Sequence, residues 1–155
     1  MTEQSADATS AANEASDYNA GIIEEFRANR GRVGGIWADT PLILLHHTGA
    51  RSGIERVTPL AYRPQPGGRF AIWAANGGSP AHPNWYYNLK AHPAITIEVD
   101  VRTFPVLAQE IDGAARAGLW TELTLVYPQL AEVQAKTGRQ FPLFVLTRPE
   151  GDSHD

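Results

Sequence analysis

No cysteine occurs anywhere in this chain of 155 residues. That absence excludes disulfides, thiolate metal sites and a thiol nucleophile together, and it is compatible with a reducing cytoplasm. Long apolar runs are missing too, since none approaches the roughly 18–20 residues that a membrane-spanning helix requires. Basic clusters are absent as well. Thirteen Lys and Arg face seventeen Asp and Glu, for a formal net charge of −4, which argues against nucleic acid as a partner. The first twenty residues, MTEQSADATSAANEASDYNA, lack a basic region followed by an apolar stretch, so they do not read as a secretory signal. There is no internal repeat. No strand runs into a GxGxxG turn, which argues against a Rossmann dinucleotide site.

What is present fits one soluble domain, with 43% hydrophobic and 19% charged residues. Residues 1–16 are small and polar with almost nothing to bury and read as a disordered tail; residues 17–149 form the domain; residues 150–155 are a polar tail. Asp17 is placed to cap a helix over 18–29. Ile22, Ile23 and Phe26 then share one face, which docks on the core. The alternative use of that face is weak peripheral contact with the inner face of a membrane, which Glu24 and Glu25 oppose. The protein is otherwise expected in the cytoplasm, and its oligomeric state stays open.

From there the pattern becomes extended. Strands are expected over 41–47, 54–63, 69–75, 94–100, 103–111 and 141–147, with turns at 48–53 and 64–68 and a Gly/Pro loop at 76–83. Pro105 marks the fifth of these as an edge or bulged strand. Residues 84–92 have helical spacing, and 113–139 form one long helical stretch that Pro128 breaks in two. Six strands joined largely by hairpins, with helices inserted late, imply a mainly β protein with peripheral helices: a small barrel rather than a βαβ sheet.

Two segments carry groups suited to ligand chemistry. The turn from His47 to Gly53, followed by Arg56, puts two guanidiniums, a hydroxyl (Ser52) and several glycines within ten positions. Arg offers a rigid fork for phosphate or carboxylate, and glycines let backbone N–H groups approach an anion. A solvated hairpin tip is the plainer reading of the same spacing. The second segment runs from Asn76-Gly77-Gly78 to Asn88, where adjacent aromatics and Asn88 could hold a planar heterocycle. The plainer reading there is that Trp85 and Tyr86 are core. Neighbouring His46 and His47 point to opposite faces of a strand and cannot chelate one ion together, so no metal site is expected. Neither a Ser-His-Asp arrangement nor a catalytic carboxylate pair is legible.

Taken in order, LLHHTGARSGIERVTPL (44–60), AANGGSPAHPNWYYNLKAHP (74–93) and YP (127–128) followed by TGRQFPLFVLT (137–147) resemble the deazaflavin-dependent nitroreductase family over about residues 22–149. The resemblance implies a split β-barrel of the FMN-binding type and a bound coenzyme F420, a deazaflavin with a phosphate and an oligoglutamate tail. It implies that Arg51 and Arg56, with Ser52 and Gly53 in the same turn, hold the anionic tail. Thr58 and Pro59 would lie beside the coenzyme, and Ala75, Asn76, Gly77, Gly78, Trp85 and Asn88 around its ring. It makes Tyr127 the catalytic, substrate-side candidate. Leu130 and Val133 stand on the substrate wall where nitroimidazole-reducing members carry tyrosines, and Ala75 stands where they carry serine. The implied activity is hydride transfer from reduced F420 to a small organic acceptor such as a quinone, enone or nitro compound. The alternatives are a non-enzymatic F420 carrier and an FMN-dependent reductase on the same barrel.

Overall fold

The structure is a computed structural model and describes residues 17–149. Both expected tails lie outside the described residues, whereas Asp17, expected to cap the first helix, is itself already helical. Helix α1 covers 17–28. The strands are β1 (Leu42–Thr48), β2 (Glu55–Ala61), β3 (Arg63–Gln65), β4 (Arg69–Trp73), β5 (Ala94–Val99), β6 (Arg102–Glu110) and β7 (Leu143–Thr147). The remaining helices are α2 (Asn84–Ala91), α3 (Gly113–Val126) and α4 (Gln129–Thr137). The break between α3 and α4 falls at Pro128, as its ring and missing N–H require.

The strands pair antiparallel in the order β2-β1-β5-β6-β7-β4-β3. This order closes the sheet. Strands β2 and β3 occupy its opposite edges, yet only Tyr62 separates them in the chain. One intervening residue spans about 7 Å between flanking Cα atoms. The two edges must therefore meet, and the sheet curls into a split barrel. The sequence pattern predicted a turn at 64–68; instead residues 63–65 pair with β4 and form a seventh strand, and only residues 66–68 turn. Strand β6 is central rather than an edge. Its Pro105 is tolerated because it lies opposite Thr96 of β5, while the β7 register begins only at Leu107.

Alternation along each strand sorts the core into an inside and an outside. Ile43 and Leu45 of β1, Phe70 and Ile72 of β4 and Phe144 and Leu146 of β7 fill the barrel with Trp85 and Leu89 of α2, which plugs one end. On the outside, Ile22 and Phe26 of α1 pack on Leu42 and Leu44. The apolar face of α1 is thus spent on the sheet. Leu119, Leu123 and Leu130 of α3 and α4 cover Ala71, Phe141 and Leu143. No helix among the described residues is long and apolar enough to cross a membrane.

Candidate functional site

The turn between β1 and β2 builds itself from small groups. Gly49 N–H donates to the carbonyl of Ile54 at 2.9 Å, and Gly53 N–H to that of Gly49 at 3.0 Å. Ser52 Oγ accepts the N–H of Ile54 at 3.2 Å and lies where a side chain on Gly49 would have to go. Gly53 has φ +70°, a conformation that suits glycine. Ser52 and Gly53 therefore shape the turn. Arg51 on the turn and Arg56 just after it in β2 are exposed, and neither makes an ion pair with a described residue. Two unspent guanidiniums at this end of the hairpin fit an anionic coenzyme tail.

Beside this turn lies a buried polar chain. Asn88, on α2, accepts the N–H of Ala50 at its Oδ1 (2.8 Å), and its Nδ2 donates to His47 Nδ1 (2.9 Å). His47 Nε2 meets Thr58 Oγ1 at 2.9 Å. The strand register explains the meeting. Leu45 pairs with Thr58 and His47 with Arg56, so His47, Arg56 and Thr58 share the inward face at one end of the barrel. Pro59 pairs with Leu44 and points the other way, towards the α1 side, so Thr58 and Pro59 do not flank one ligand. Only 3% of His47 is exposed. Burial, then the Arg56 charge and the neighbouring His46, lowers its pKa to about 4.

The 74–83 loop is held from behind by Arg139. Its guanidinium donates to the carbonyls of Ala74 (3.1 Å), Ala75 (2.9 Å) and Ser79 (3.0 Å) and to His82 Nδ1 (2.9 Å). His82 accepts there, and burial followed by the Arg139 charge lowers its pKa. Thr137 Oγ1 lies 3.1 Å from the carbonyl of Gly78 and 2.7 Å from that of Val133, and its one proton is shared between them. Asn76 takes φ +50° and closes its own loop by donating Nδ2 to the carbonyl of Ala81 at 2.9 Å. Gly78, at φ +84°, lies on Val133: an added Cβ would stand 2.9 Å from Val133 Cγ1. Gly77, at φ +63°, faces open space.

The structure thus regroups the residues read from the sequence. Trp85 is buried, its ring centroid 5.9 Å from that of Phe144. The accessible aromatics of that segment are His82, Tyr86 and Tyr87, whose ring centroids lie 4.4–6.0 Å apart in tilted and edge-on contacts. Asn88 is buried, and its amide joins Ala50 to His47. Leu130 is buried on the inner face of α4, and the partly buried Val133 lies against Gly78. Tyr127 is half-buried, its ring 5.5 Å from Trp73, in the cluster that includes Ala75 and Val133. It lies on the outer side of β4 and takes no part in the Thr58–His47–Asn88 chain. Sequence reading missed Arg139 and His47 as organisers. Their signals were faint: an Arg just beyond a helix C-terminus, and a His continuing the inward series Ile43, Leu45. An open surface hollow of about 600 Å³ at the C-terminal end of α1, lined by Glu25, Asn29, Arg30 and Arg32 among others, touches none of these groups. No cluster of three metal-ligating side chains occurs among the described residues.

These features have close counterparts. A family model described as F420H(2)-dependent quinone reductase matches residues 22–148. An F420H(2)-dependent quinone reductase of Mycobacterium tuberculosis (strain H37Rv) is 36% identical over 127 residues, covering 79% of this chain and 85% of that protein. Among solved structures, an F420-H2 dependent reductase matches with a TM-score of 0.62 at 37% identity, over 68% of this chain and 93% of its own. A structure described as a domain-swapped dimer matches with a TM-score of 0.64 at 34% identity, over 85% of this chain and 98% of its own. This chain belongs to the F420H(2)-dependent quinone reductase family, and is an oxidoreductase whose cofactor is coenzyme F420.

Proposed function

We propose that this protein transfers a hydride from reduced F420 to a quinone. The observation that carries the reading is the pairing of two unspent guanidiniums, Arg51 and Arg56, with a neighbouring polar chain that ends at Thr58. When bound, the reduced coenzyme supplies a hydride, and the quinone takes it up with a proton to become a hydroquinone. Arg51 and Arg56 hold the phosphate and carboxylates of the tail. The loop 75–79, fixed from behind by Arg139, borders the ring and limits water. The acceptor lies towards Trp73, Ala75 and Tyr127, an apolar wall with one phenolic O–H able to hydrogen-bond a carbonyl oxygen or pass it a proton. A flat ring with carbonyl groups suits such a wall better than a nitro group, which asks for more donors.

The test mixes the protein with F420 and with FMN and follows fluorescence, then follows reoxidation of the reduced coenzyme without oxygen. F420 is expected to bind at least about 10-fold more tightly than FMN, a gap of about 1.4 kcal/mol. Menadione or a cyclic enone is expected to turn over faster than a bicyclic nitroimidazole. Tight F420 binding with no turnover of any acceptor would make the protein a carrier. Equal or tighter FMN binding would overturn the choice of coenzyme.

A further inference from the structure

The polar chain running from the β1–β2 turn to Thr58 has a direction that can be read without seeing a hydrogen atom. Its first donor is the backbone N–H of Ala50, which can only donate. The atom it meets on Asn88 is therefore the carbonyl oxygen, and the other end of that amide is NH2. That NH2 meets His47 Nδ1 at 2.9 Å, so Nδ1 accepts and carries no proton. A neutral imidazole then bears its proton on Nε2. Nε2 lies 2.9 Å from Thr58 Oγ1, which must accept. The Thr58 proton is left over, and no described residue takes it. His47 is held neutral by its burial and by Arg56 and His46, with a pKa of about 4, so this order persists at neutral pH.

We infer that His47 is a positioning residue that makes the half-buried Thr58 hydroxyl a one-way hydrogen-bond donor, set to grip a carbonyl oxygen of a bound planar ring and to reject a donor group at that point. Thr58 shares its face with Arg56, so a molecule whose anionic end sits on Arg56 reaches Thr58 next. This deepens the proposed function and rests on it for the identity of the ring. Two carbonyl sources could meet it: the pyrimidinedione edge of the deazaflavin, or the quinone, the second only if the acceptor enters the barrel end instead of lying against the Trp73–Tyr127 wall proposed above. A hydroxyl simply capping a strand would have its direction left open, whereas here three consecutive hydrogen bonds fix it.

Four variants separate the possibilities. Thr58→Val keeps the shape and removes the donor, and Thr58→Ser restores it. Asn88→Asp keeps the bond from Ala50 but can only accept at His47. It forces the proton onto Nδ1, turns Nε2 into an acceptor and reverses the Thr58 hydroxyl. His47→Ala releases the hydroxyl. The first measurement needs no coenzyme: imidazole 15N shifts should show His47 protonated at Nε2 in the wild type and at Nδ1 in Asn88→Asp. The second is F420 affinity by fluorescence, with the quinone KM at saturating reduced coenzyme. Thr58→Val, Asn88→Asp and His47→Ala should each weaken one of the two by about 10-fold, with Thr58→Ser within about threefold of the wild type. A loss confined to F420 affinity assigns the carbonyl to the coenzyme, and one confined to KM assigns it to the quinone. An Nδ1-protonated His47 in the wild type, or unchanged affinity and KM in Thr58→Val, overturns the inference. A wild type that reduces no quinone would sink the proposed acceptor, while the 15N and F420 measurements would still decide the role of His47.

Discussion

At the scale of single residues, the site is a set of groups whose hydrogen-bonding capacity is either fully spent or conspicuously left over. Arg51 and Arg56 belong to the second kind. Replacing either by Ala should weaken F420 binding by about 1.5–3 kcal/mol, the scale of a hydrogen bond to a charged group. The melting temperature should hardly move, because neither side chain is packed. Unchanged affinity in both variants would return the turn to an ordinary solvated hairpin tip. His47 is the opposite case, and its burial has a pH signature. Its pKa falls from 6.5 to about 4 on folding, under burial, Arg56 on β2 and His46 on its own strand. Between those values the unfolded chain binds a proton that the folded chain refuses. Stability should therefore be intact above about pH 6.5 and decline as pH falls towards 4, by at most about 3 kcal/mol. Urea titrations at pH 7, 5.5 and 4.5 should show this slope, and His47→Gln should flatten it. The Glu98 carboxylate, held below its usual range chiefly by Arg27, adds its own loss only at lower pH. A His47→Gln profile parallel to the wild type would rule out the assignment.

At the scale of elements, the 74–83 loop is ordered by what lies behind it. Its own sequence is Gly, Pro and small polar residues, which have little to pack. Arg139 replaces that missing core with four hydrogen bonds, and α4 adds Thr137 and Val133. Two neighbouring glycines test this arrangement. Gly77 and Gly78 both have positive φ, so Ala at either costs about 1–2 kcal/mol of backbone strain. Only at Gly78 does the new methyl also meet Val133, at 2.9 Å. Gly78→Ala should thus lower the melting temperature more than Gly77→Ala and should weaken F420 binding with it. Adding Val133→Ala should recover part of the difference. Equal melting temperatures for the two glycine variants would mean that α4 does not brace the loop.

At the scale of the whole molecule, the barrel brings together segments far apart in the chain. Tyr62 joins the two sheet edges, α2 plugs one end, and α1 covers the outer face of β1. Phe26 is 1% exposed there, so the helix is part of the fold and not a spare amphipathic arm. The segment before it is different in kind. Residues 1–16 show no apolar periodicity, and deleting them should leave both melting temperature and F420 affinity nearly unchanged. A marked loss of affinity alone would show that the segment closes over the coenzyme.

The sequence by itself determined the strand-rich class, the break at Pro128, the self-folding turn at 48–53 and the Gly/Pro loop, because each rests on local sterics or on period-two alternation. It also carried the family, through three segments in a fixed order. What it could not determine was which side chains share a face across strands. That depends on register, and register put Thr58 with His47 while sending Pro59 to the other side. Nor could it tell which side chains of α2 are buried: that Trp85 and Asn88 are follows only from α2 plugging the barrel. Arg139 and the loop it grips are about sixty residues apart in the chain. Only the closing of the sheet, which joins the β2 and β3 edges at Tyr62 and stacks α4 on β4 and β7, brings such distant groups within hydrogen-bond reach.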